Sequence, residues 1–465
     1  MTTSTPPAPV DLAARTPYLS GVFAPQRREV EAVDLPVTGT IPPDLHGTYF
    51  RNGPNPRFDP IGTFVYPLDG DAMVHRVRIE DGRASYLNRF VRTPMVVAEE
   101  RVGHALWAGI TDPYTPGADL VGPELAGTSR HLPDINVVAH SGKLLAMAES
   151  DLPYRIDPAD LATLGRDDCG GAMALGSTAH PKIDPGTGEL VLFTYRLESP
   201  YLAWSVVSRA GDVLRAPTPV DGVTEPIMIH DMALTERYLV LVLAPLVFDI
   251  PALLNGGSLL DWRPAAGTRI AMIPRDGGPV RWAETDTFWV WHFANAFDDD
   301  RGRIVLDYVQ WNYPSGLARV STPQRGGVVR AVVDPASGAV TRDEIAMHPV
   351  EFPRIDDRRI GRPHGAVATA GRRDGSGDRT ALLFVDTERG TETWWDAGDH
   401  AVGEPIHLPG AEHAYWGTLA TDRRDMSSWF HILAAADPAA GPVASVRMPI
   451  RVPAGLHGTW VPAAG

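Results

Sequence analysis

The sequence is short of two residues on which much protein chemistry depends. It has one cysteine, Cys169, in 465 residues, which excludes a disulfide framework, a Cys-x-x-Cys redox pair and any zinc or iron–sulfur site built from thiolates. Lysine is nearly as rare. Lys143 and Lys182 are the only two, and the remainder of the 42 basic residues are arginine, so Schiff-base or lysine-nucleophile chemistry would have to use one of two positions. Positive charge is in deficit overall, with 42 Lys+Arg against 57 Asp+Glu for a net charge of −15. Counterion release needs a basic footprint, so nucleic acid is not an expected partner, and a polybasic membrane anchor is disfavoured. Long apolar runs are also missing. The longest, Tyr238 to Phe248, has about 11 residues against the ~20 of a spanning helix. Met1 to Val10 shows no basic-then-apolar signal pattern. Together these absences predict a soluble protein of the cytoplasm.

Local chemical motifs are absent too. There is no Walker loop, no Gly-x-Gly-x-x-Gly after a strand and no His-Glu-x-x-His, and none of the 15 histidines opens a His-x-His or His-x-Asp pair. Any site must be assembled from residues far apart in the chain.

What the sequence does have is turns. Glycine (45) and proline (43) make up about 19% of the chain, where ordinary usage is about 12%. Val77 and Ile79 alternate with Arg76, Arg78 and Glu80, then come Asp81-Gly82 and a second alternating run, the pattern of a β-hairpin with one buried face. The same device recurs at Ser141-Gly142, Asp184-Pro185-Gly186, Ala210-Gly211, Asp276-Gly277-Gly278, Arg301-Gly302, Asp334 to Gly338 and Arg389-Gly390. Helical periodicity is confined to short pieces such as Asp157 to Leu164. The expected fold class is therefore all-β. A β-propeller disposes of strand edges in so long a chain, with two packed sandwiches as the runner-up. No Trp-Asp or kelch signature repeats, so the blades would be degenerate. Length alone suggests about three domains, but evenly spread hairpins favour one: a loosely ordered arm over residues 1–15 and a single domain over 16–465.

A propeller presents side chains from several blades to one axis. Four histidines interrupt apolar strand-like runs: His180, His230, His292 and His457. Held neutral by burial, each is either a metal ligand or a core histidine satisfied by a backbone carbonyl. Three carboxylates also stand in apolar company: Glu149, Glu351 and Glu404. Each needs a partner, either the N–H of an imidazole or a nearby arginine such as Arg155 or Arg354.

The chain, from about Gly21 to Val461, resembles the carotenoid cleavage oxygenase family of carotenoid-, apocarotenoid- and stilbene-cleaving non-haem iron enzymes. The resemblance rests on Gly47-Thr48-Tyr49-Phe50-Arg51-Asn52-Gly53-Pro54-Asn55-Pro56, Asp69-Gly70-Asp71-Ala72-Met73-Val74-His75, Thr178-Ala179-His180-Pro181-Lys182, Glu351-Phe352-Pro353-Arg354-Ile355-Asp356, and Arg451-Val452-Pro453 ahead of Gly455-Leu456-His457-Gly458. It implies a seven-bladed β-propeller with loops and short helices capping the top face. It further implies one Fe2+ per chain held by His180, His230, His292 and His457, with Glu149, Glu351 and Glu404 orienting three of them and His180 lacking such a partner. O2 would be the co-substrate, and a C=C bond of a small apolar conjugated alkene would be cut to two carbonyl products.

Phenol-binding relatives hold the substrate hydroxyl with a tyrosine and a lysine at positions that here match Ile110 and Ala148, which leaves Tyr114 or Lys143 as substitutes. The expected substrate is therefore carotenoid- or apocarotenoid-like, with a stilbene or phenylpropene as the alternative. Phe64, Trp107, Ile110, Ala148 and Phe293 are the candidate pocket residues, and Trp289, Trp291, Tyr308 and Trp311 serve pocket or blade packing. Two further departures from the family pattern are Arg362-Pro363-His364-Gly365-Ala366 and His407. The stretch Ala244 to Leu260 reads as a core strand followed by a surface loop, which leaves room for peripheral membrane contact. A carbohydrate-active propeller with paired carboxylates is the competing activity, and a catalytically silent scaffold the competing non-enzyme.

Overall fold

Strand pairing follows the buried and exposed alternation of the sequence. In Met73–Glu80, Val77 and Ile79 are buried while Arg78 and Glu80 are exposed. Asp81 and Gly82, both at positive φ, return the chain into Arg83–Phe90, as a two-residue turn between twisted strands requires. All eight expected turns join paired antiparallel strands. The structure, a computed structural model, describes residues 7–8, 17–65, 69–110, 112, 114–255, 257–317, 320, 322–373 and 377–463. The expected arm thus falls almost entirely outside the described residues.

Seven sheets of four or more strands form a seven-bladed β-propeller. Numbered along the chain, their innermost strands are Gly458–Pro462 beside Gly47–Arg51 (blade 1), Asn136–His140 (2), Lys182–Ile183 (3), Ala233–Leu234 (4), Trp289–Asp298 (5), Glu351–Arg354 (6) and, in blade 7, His400–Val402 and Ile406–Pro409, which both pair with Ala414–Asp422. Two exchanges close the ring. The C-terminal strand Gly458–Pro462 adds to blade 1 beside Gly47–Arg51, and the N-terminal strand Val37–Gly39 adds to the outer edge of blade 7. Between them Tyr49, Val77, Ile79 and Tyr86 of blade 1 pack against Phe430, Ile432 and Val446 of blade 7. The sandwich alternative is thereby excluded.

Helices are few and short. Pro94–Val102 starts at Thr93, whose Oγ1 accepts the Val96 N–H at 3.2 Å, and stops at Gly103 with φ 81°. The helical periodicity of Asp157 to Leu164 gives no helix. Asp157 Oδ1 accepts the Ala159 N–H and Asp160 Oδ1 the Ala162 N–H, each at 2.8 Å, so short side chains turn the backbone locally into strand Thr163–Arg166. The apolar stretch from Ala244 is buried through Val247, then forms a hairpin, Leu246–Phe248 with Leu260–Trp262, carrying the short helix Ile250–Leu254 at its tip.

Blades 5 and 6 are stapled by a buried charge. Asp307 accepts from Arg330 Nε at 2.8 Å and Nη2 at 2.7 Å. Arg330 also reaches Thr387 Oγ1 at 2.7 Å, and His364 Nε2 lies 3.0 Å from Asp307 Oδ2. The departure at His364 therefore serves blade packing. Burial opposes ionisation of Asp307, but Arg330 and His364 outweigh it and hold the carboxyl below the ordinary carboxylate range. A depressed acid contributes stability that is present above its unfolded pKa, near 4, and is lost as pH falls through the folded value. Asp307→Asn is expected to cost on the order of 3 kcal/mol at pH 7 and to flatten the decline of the urea midpoint below about pH 4. A variant with the wild-type acid limb would contradict this role.

Candidate metal centre

Position on the blades explains how residues so far apart meet. His180 and His230 end the segments leading into the inner strands of blades 3 and 4. His292 lies within the inner strand of blade 5, and His457 immediately precedes the closing strand of blade 1. Glu351 begins the inner strand of blade 6, Glu404 stands two residues before Ile406–Pro409 of blade 7, and Glu149 follows Lys143–Met147 of blade 2. Met147 pairs with Asn136 at the start of the inner strand of blade 2, so Glu149 lies at the same end of its blade as the others and all seven blades contribute.

Local backbone irregularities aim two of these side chains. The pairing of Trp289–Asp298 with its neighbour shifts register between Val290 and Phe293 and again before Asn295, a bulge that re-aims His292. Phe352 takes φ 58°, uncommon for a bulky residue, in a strand whose register also shifts between Glu351 and Arg354. Its N–H thereby turns back onto Glu351 Oε2 at 3.0 Å. Asp231 ties neighbouring blades beside His230, pairing with Lys182 Nζ at 2.8 Å and accepting the Phe293 N–H at 2.8 Å.

One ring nitrogen from each of the four histidines lies within 4.8 Å of the others. The Nε2 atoms are 3.1 Å apart for His180 and His230, 3.2 Å for His230 and His292, and 3.1 Å for His292 and His457. On the far side of three rings, Nδ1 faces a carboxylate: His230 meets Glu149, His292 meets Glu351 at 2.6 Å, and His457 meets Glu404 at 2.9 Å. A neutral imidazole has a single N–H. With that proton on Nδ1, each Nε2 directs a lone pair at the common centre. His180 has no carboxylate of this kind among the described residues.

The carboxylates are themselves anchored. Tyr195 O–H donates to Glu149 Oε2, Trp311 Nε1 donates to Glu351 Oε1 at 2.6 Å, and Arg354 Nη1 lies 3.1 Å from Glu404 Oε1, whose Oε2 accepts the Gly458 N–H at 3.0 Å. Both partner types open to the carboxylates thus occur together at Glu404. Burial opposes its ionisation, yet Arg354 and His457 hold it at about 2. For His180, burial and then the three surrounding imidazoles push the pKa well below its ordinary value. His230 moves the other way, because Glu149 outweighs its burial. Tyr195 and Trp311 gave no sequence signal for these roles, since their partners lie 46 and 40 residues away.

The pocket candidates divide. Phe293 is buried and helps line a cavity of about 430 Å³ that reaches His180, His292 and His457 and holds the Lys182–Asp231 pair, Arg354 and His407. His407 is buried against Trp416, with Nδ1 3.5 Å from Asp356. Ala148 packs beside Ile135, Ala179, Phe352 and Leu456. Phe64 and Trp107 instead line a separate cavity of about 30 Å³ with Asp69, Asp71 and Arg130. Trp107 sits in a cluster with Met95, Ala98 and Leu106, its Nε1 bonded to Thr128 O at 2.9 Å. Ile110 is 58% exposed, its N–H on Asp69 Oδ1 at 2.7 Å. These three, and Ala148 with them, do not line the cavity that His180, His292 and His457 share. Tyr114 is buried with Ile61, Ala105 and Ala108, and Lys143 pairs with Asp167 at 2.8 Å, so neither substitute for a phenol clamp reaches that cavity. Apolar rings do approach the histidines: Trp291 meets His230 edge-on at 5.0 Å, and Phe352 lies 5.6 Å from His292 and 5.2 Å from His457.

Comparison with known proteins agrees with this geometry. The family profile described as retinal pigment epithelial membrane protein matches residues 23–462. The carotenoid 9,10(9',10')-cleavage dioxygenase 1 of Arabidopsis thaliana is 31% identical over 490 residues, covering 96% of this chain and 89% of its own. The apocarotenoid-15,15'-oxygenase of Synechocystis is 31% identical, covering 91% and 92%. Among solved structures, lignostilbene dioxygenase of Pseudomonas brassicacearum superposes with a TM-score of 0.86 at 29% identity, over 99% of this chain and 100% of that one. The chain belongs to the carotenoid cleavage oxygenase family.

Proposed function

We propose that His180, His230, His292 and His457 bind one Fe2+ and that the protein is a non-haem iron dioxygenase cleaving a C=C bond of a carotenoid- or apocarotenoid-like alkene. The observation that carries the reading is the convergence of four imidazole nitrogens, three with their protons committed to carboxylates on the opposite ring atom. Lone pairs that meet without protons between them repel, and a cation at their centre removes the repulsion. The charges fit as well. Glu149 and Glu351 have only an imidazole as ion-pair partner among the described residues, whereas Glu404 also faces Arg354, so negative charge is left behind the rings for a divalent ion to offset. An all-nitrogen donor set of imidazoles suits iron, which these four residues would hold.

Bound there, Fe2+ would supply the redox-active centre at which O2 and an electron-rich alkene react to give two carbonyl products. The overall reaction adds both atoms of O2 across a broken C=C bond and consumes no proton, so no histidine or glutamate is needed as a general base. The residues have other work. The glutamates fix each ring's tautomer and plane, while Trp291 and Phe352 shield the imidazoles with apolar surface. Half-buried Tyr195, Phe248, Leu260, Trp262 and Trp291 pack on one apolar cluster, which meets His230 through Trp291 and is the kind of surface a conjugated apolar chain would contact. With Lys143 and Lys182 both in ion pairs and alanine at position 148, support for a phenolate clamp is weak, and the arylalkene reading stands second.

Purified protein is expected to hold about one iron per chain, lost in His230→Ala, an outcome that also separates it from a carbohydrate hydrolase. Aerobic incubation with panels of apocarotenoids, carotenoids, stilbenes and phenylpropenes is expected to give aldehydes in the first two, with ¹⁸O from labelled O2 in both products. Metal-independent turnover or no cleavage in any panel would overturn the reading, and cleavage confined to stilbenes or phenylpropenes would favour the alternative. Glu351→Gln is expected to lower iron affinity roughly 10–100-fold through His292. Unchanged metal content and turnover would remove Glu351 from this role.

A further inference from the structure

His230 is held through a narrower chain of contacts than His292 or His457. Glu351 has two anchors besides His292, the Trp311 indole at 2.6 Å and the Phe352 N–H at 3.0 Å. Glu404 has Arg354 at 3.1 Å and the Gly458 N–H at 3.0 Å. Glu149 has one recorded anchor among the described residues, the phenol O–H of Tyr195.

We propose that Tyr195 is a positioning residue for the metal centre: its hydroxyl fixes Glu149, Glu149 fixes the ring plane and tautomer of His230, and removing that hydroxyl weakens metal binding more than removing the Trp311 donor. The proposal rests on the four-histidine metal reading given above.

The surroundings of Tyr195 suit this role. It is the last residue of strand Leu190–Tyr195, and its carbonyl accepts from Ser150 Oγ at 2.9 Å. The two chain segments are thus tied at two adjacent residues, Glu149 and Ser150. Its ring stacks on Phe248 of the inserted hairpin, centroids 5.6 Å apart at 30°, which limits rotation of the phenol. Burial and the neighbouring Glu149 charge push its pKa well above the ordinary tyrosine value, so it stays a neutral donor. Without the hydroxyl, the half-buried Glu149 Oε2 loses the donor that fixes it, which is unfavourable for a carboxylate largely removed from water. Rotation of the carboxylate toward another donor would relieve that loss and would withdraw the acceptor that holds His230 Nδ1–H. Glu351 keeps the Phe352 N–H when Trp311 is changed, so its imidazole is buffered.

The test uses metal-free full-length protein titrated with Co2+ against a competing chelator, with the visible Co2+ spectrum and the metal-free thermal midpoint read in parallel. Wild type is expected to bind about one Co2+ per chain. Tyr195→Phe is expected to bind at least roughly tenfold more weakly, with an altered spectrum and an unchanged metal-free midpoint, whereas Trp311→Phe stays within about threefold of wild type. In a Glu149→Gln background the Tyr195→Phe step should change affinity by less than about twofold, because the two residues act through one contact. Wild-type affinity and spectrum in Tyr195→Phe would overturn the proposal. So would a larger loss in Trp311→Phe, an equal loss in the Glu149→Gln background, or a fall in the metal-free midpoint that accounts for the affinity loss. Failure of the wild-type protein itself to bind Co2+ would instead overturn the four-histidine metal reading.

Discussion

Everything at the centre of this molecule answers to one electrostatic constraint: four imidazole lone pairs meet on the propeller axis with three carboxylates behind them, Glu351 and Glu404 buried and Glu149 half-buried. Neither half is stable alone. Neutral imidazoles packed nitrogen to nitrogen at 3.1–3.2 Å repel, and buried carboxylates carry a large desolvation cost unless they accept hydrogen bonds and face positive charge. A divalent ion satisfies both halves together.

The propeller meets this constraint because its radial geometry converts sequence distance into proximity. The contacting histidine pairs are separated by 50, 62 and 165 residues, yet each histidine lies inside an inner strand or in the few residues before one. The carboxylates come from the remaining blades, so every blade supplies either a nitrogen or the acceptor that aims one. The anchors behind the carboxylates differ in chemistry, a phenol, an indole and a guanidinium, so the imidazoles are not equivalent even though their inner faces look alike.

Much of the scaffold was legible in the sequence because turn chemistry is local. Asp81-Gly82 and its seven counterparts declare a change of direction within two to five residues, and their flanking alternation declares the strands. Asp157 to Leu164 misled for the same local reason, since aspartate side chains that bond nearby N–H groups turn the chain where apolar spacing suggests a helix. The site was legible only in part. Patterning isolates His180, His230, His292 and His457 as buried and polar but cannot separate them from His364 or His431, which are buried for packing; resemblance made that choice. Phe64, Trp107 and Ile110 also came from aromatic or apolar character and resemblance, and the structure gives Trp107 and Ile110 backbone partners of their own. Tyr195 and Trp311 carried no local signal, because a donor's role is defined by an acceptor in another strand.

Ring closure and the metal centre are one structural event. The closing strand begins at Gly458, immediately after His457, and its first residue donates to Glu404 of blade 7 and accepts from Arg354 of blade 6. A side chain at Gly458 would meet the Phe50 carbonyl at 2.3 Å, so glycine is needed for the strand to settle against blade 1. On the other side of the same histidine, Asn52 donates its N–H to the His457 carbonyl at 2.9 Å and accepts the Leu456 N–H at 3.0 Å. The fourth imidazole therefore reaches the axis only when the last strand is seated, and a bound ion then joins blades 3, 4 and 5 to the strand that closes blade 1. Binding energy at such a site would oppose opening of the ring, because the ion would hold the closing C-terminal strand against blades 3, 4 and 5.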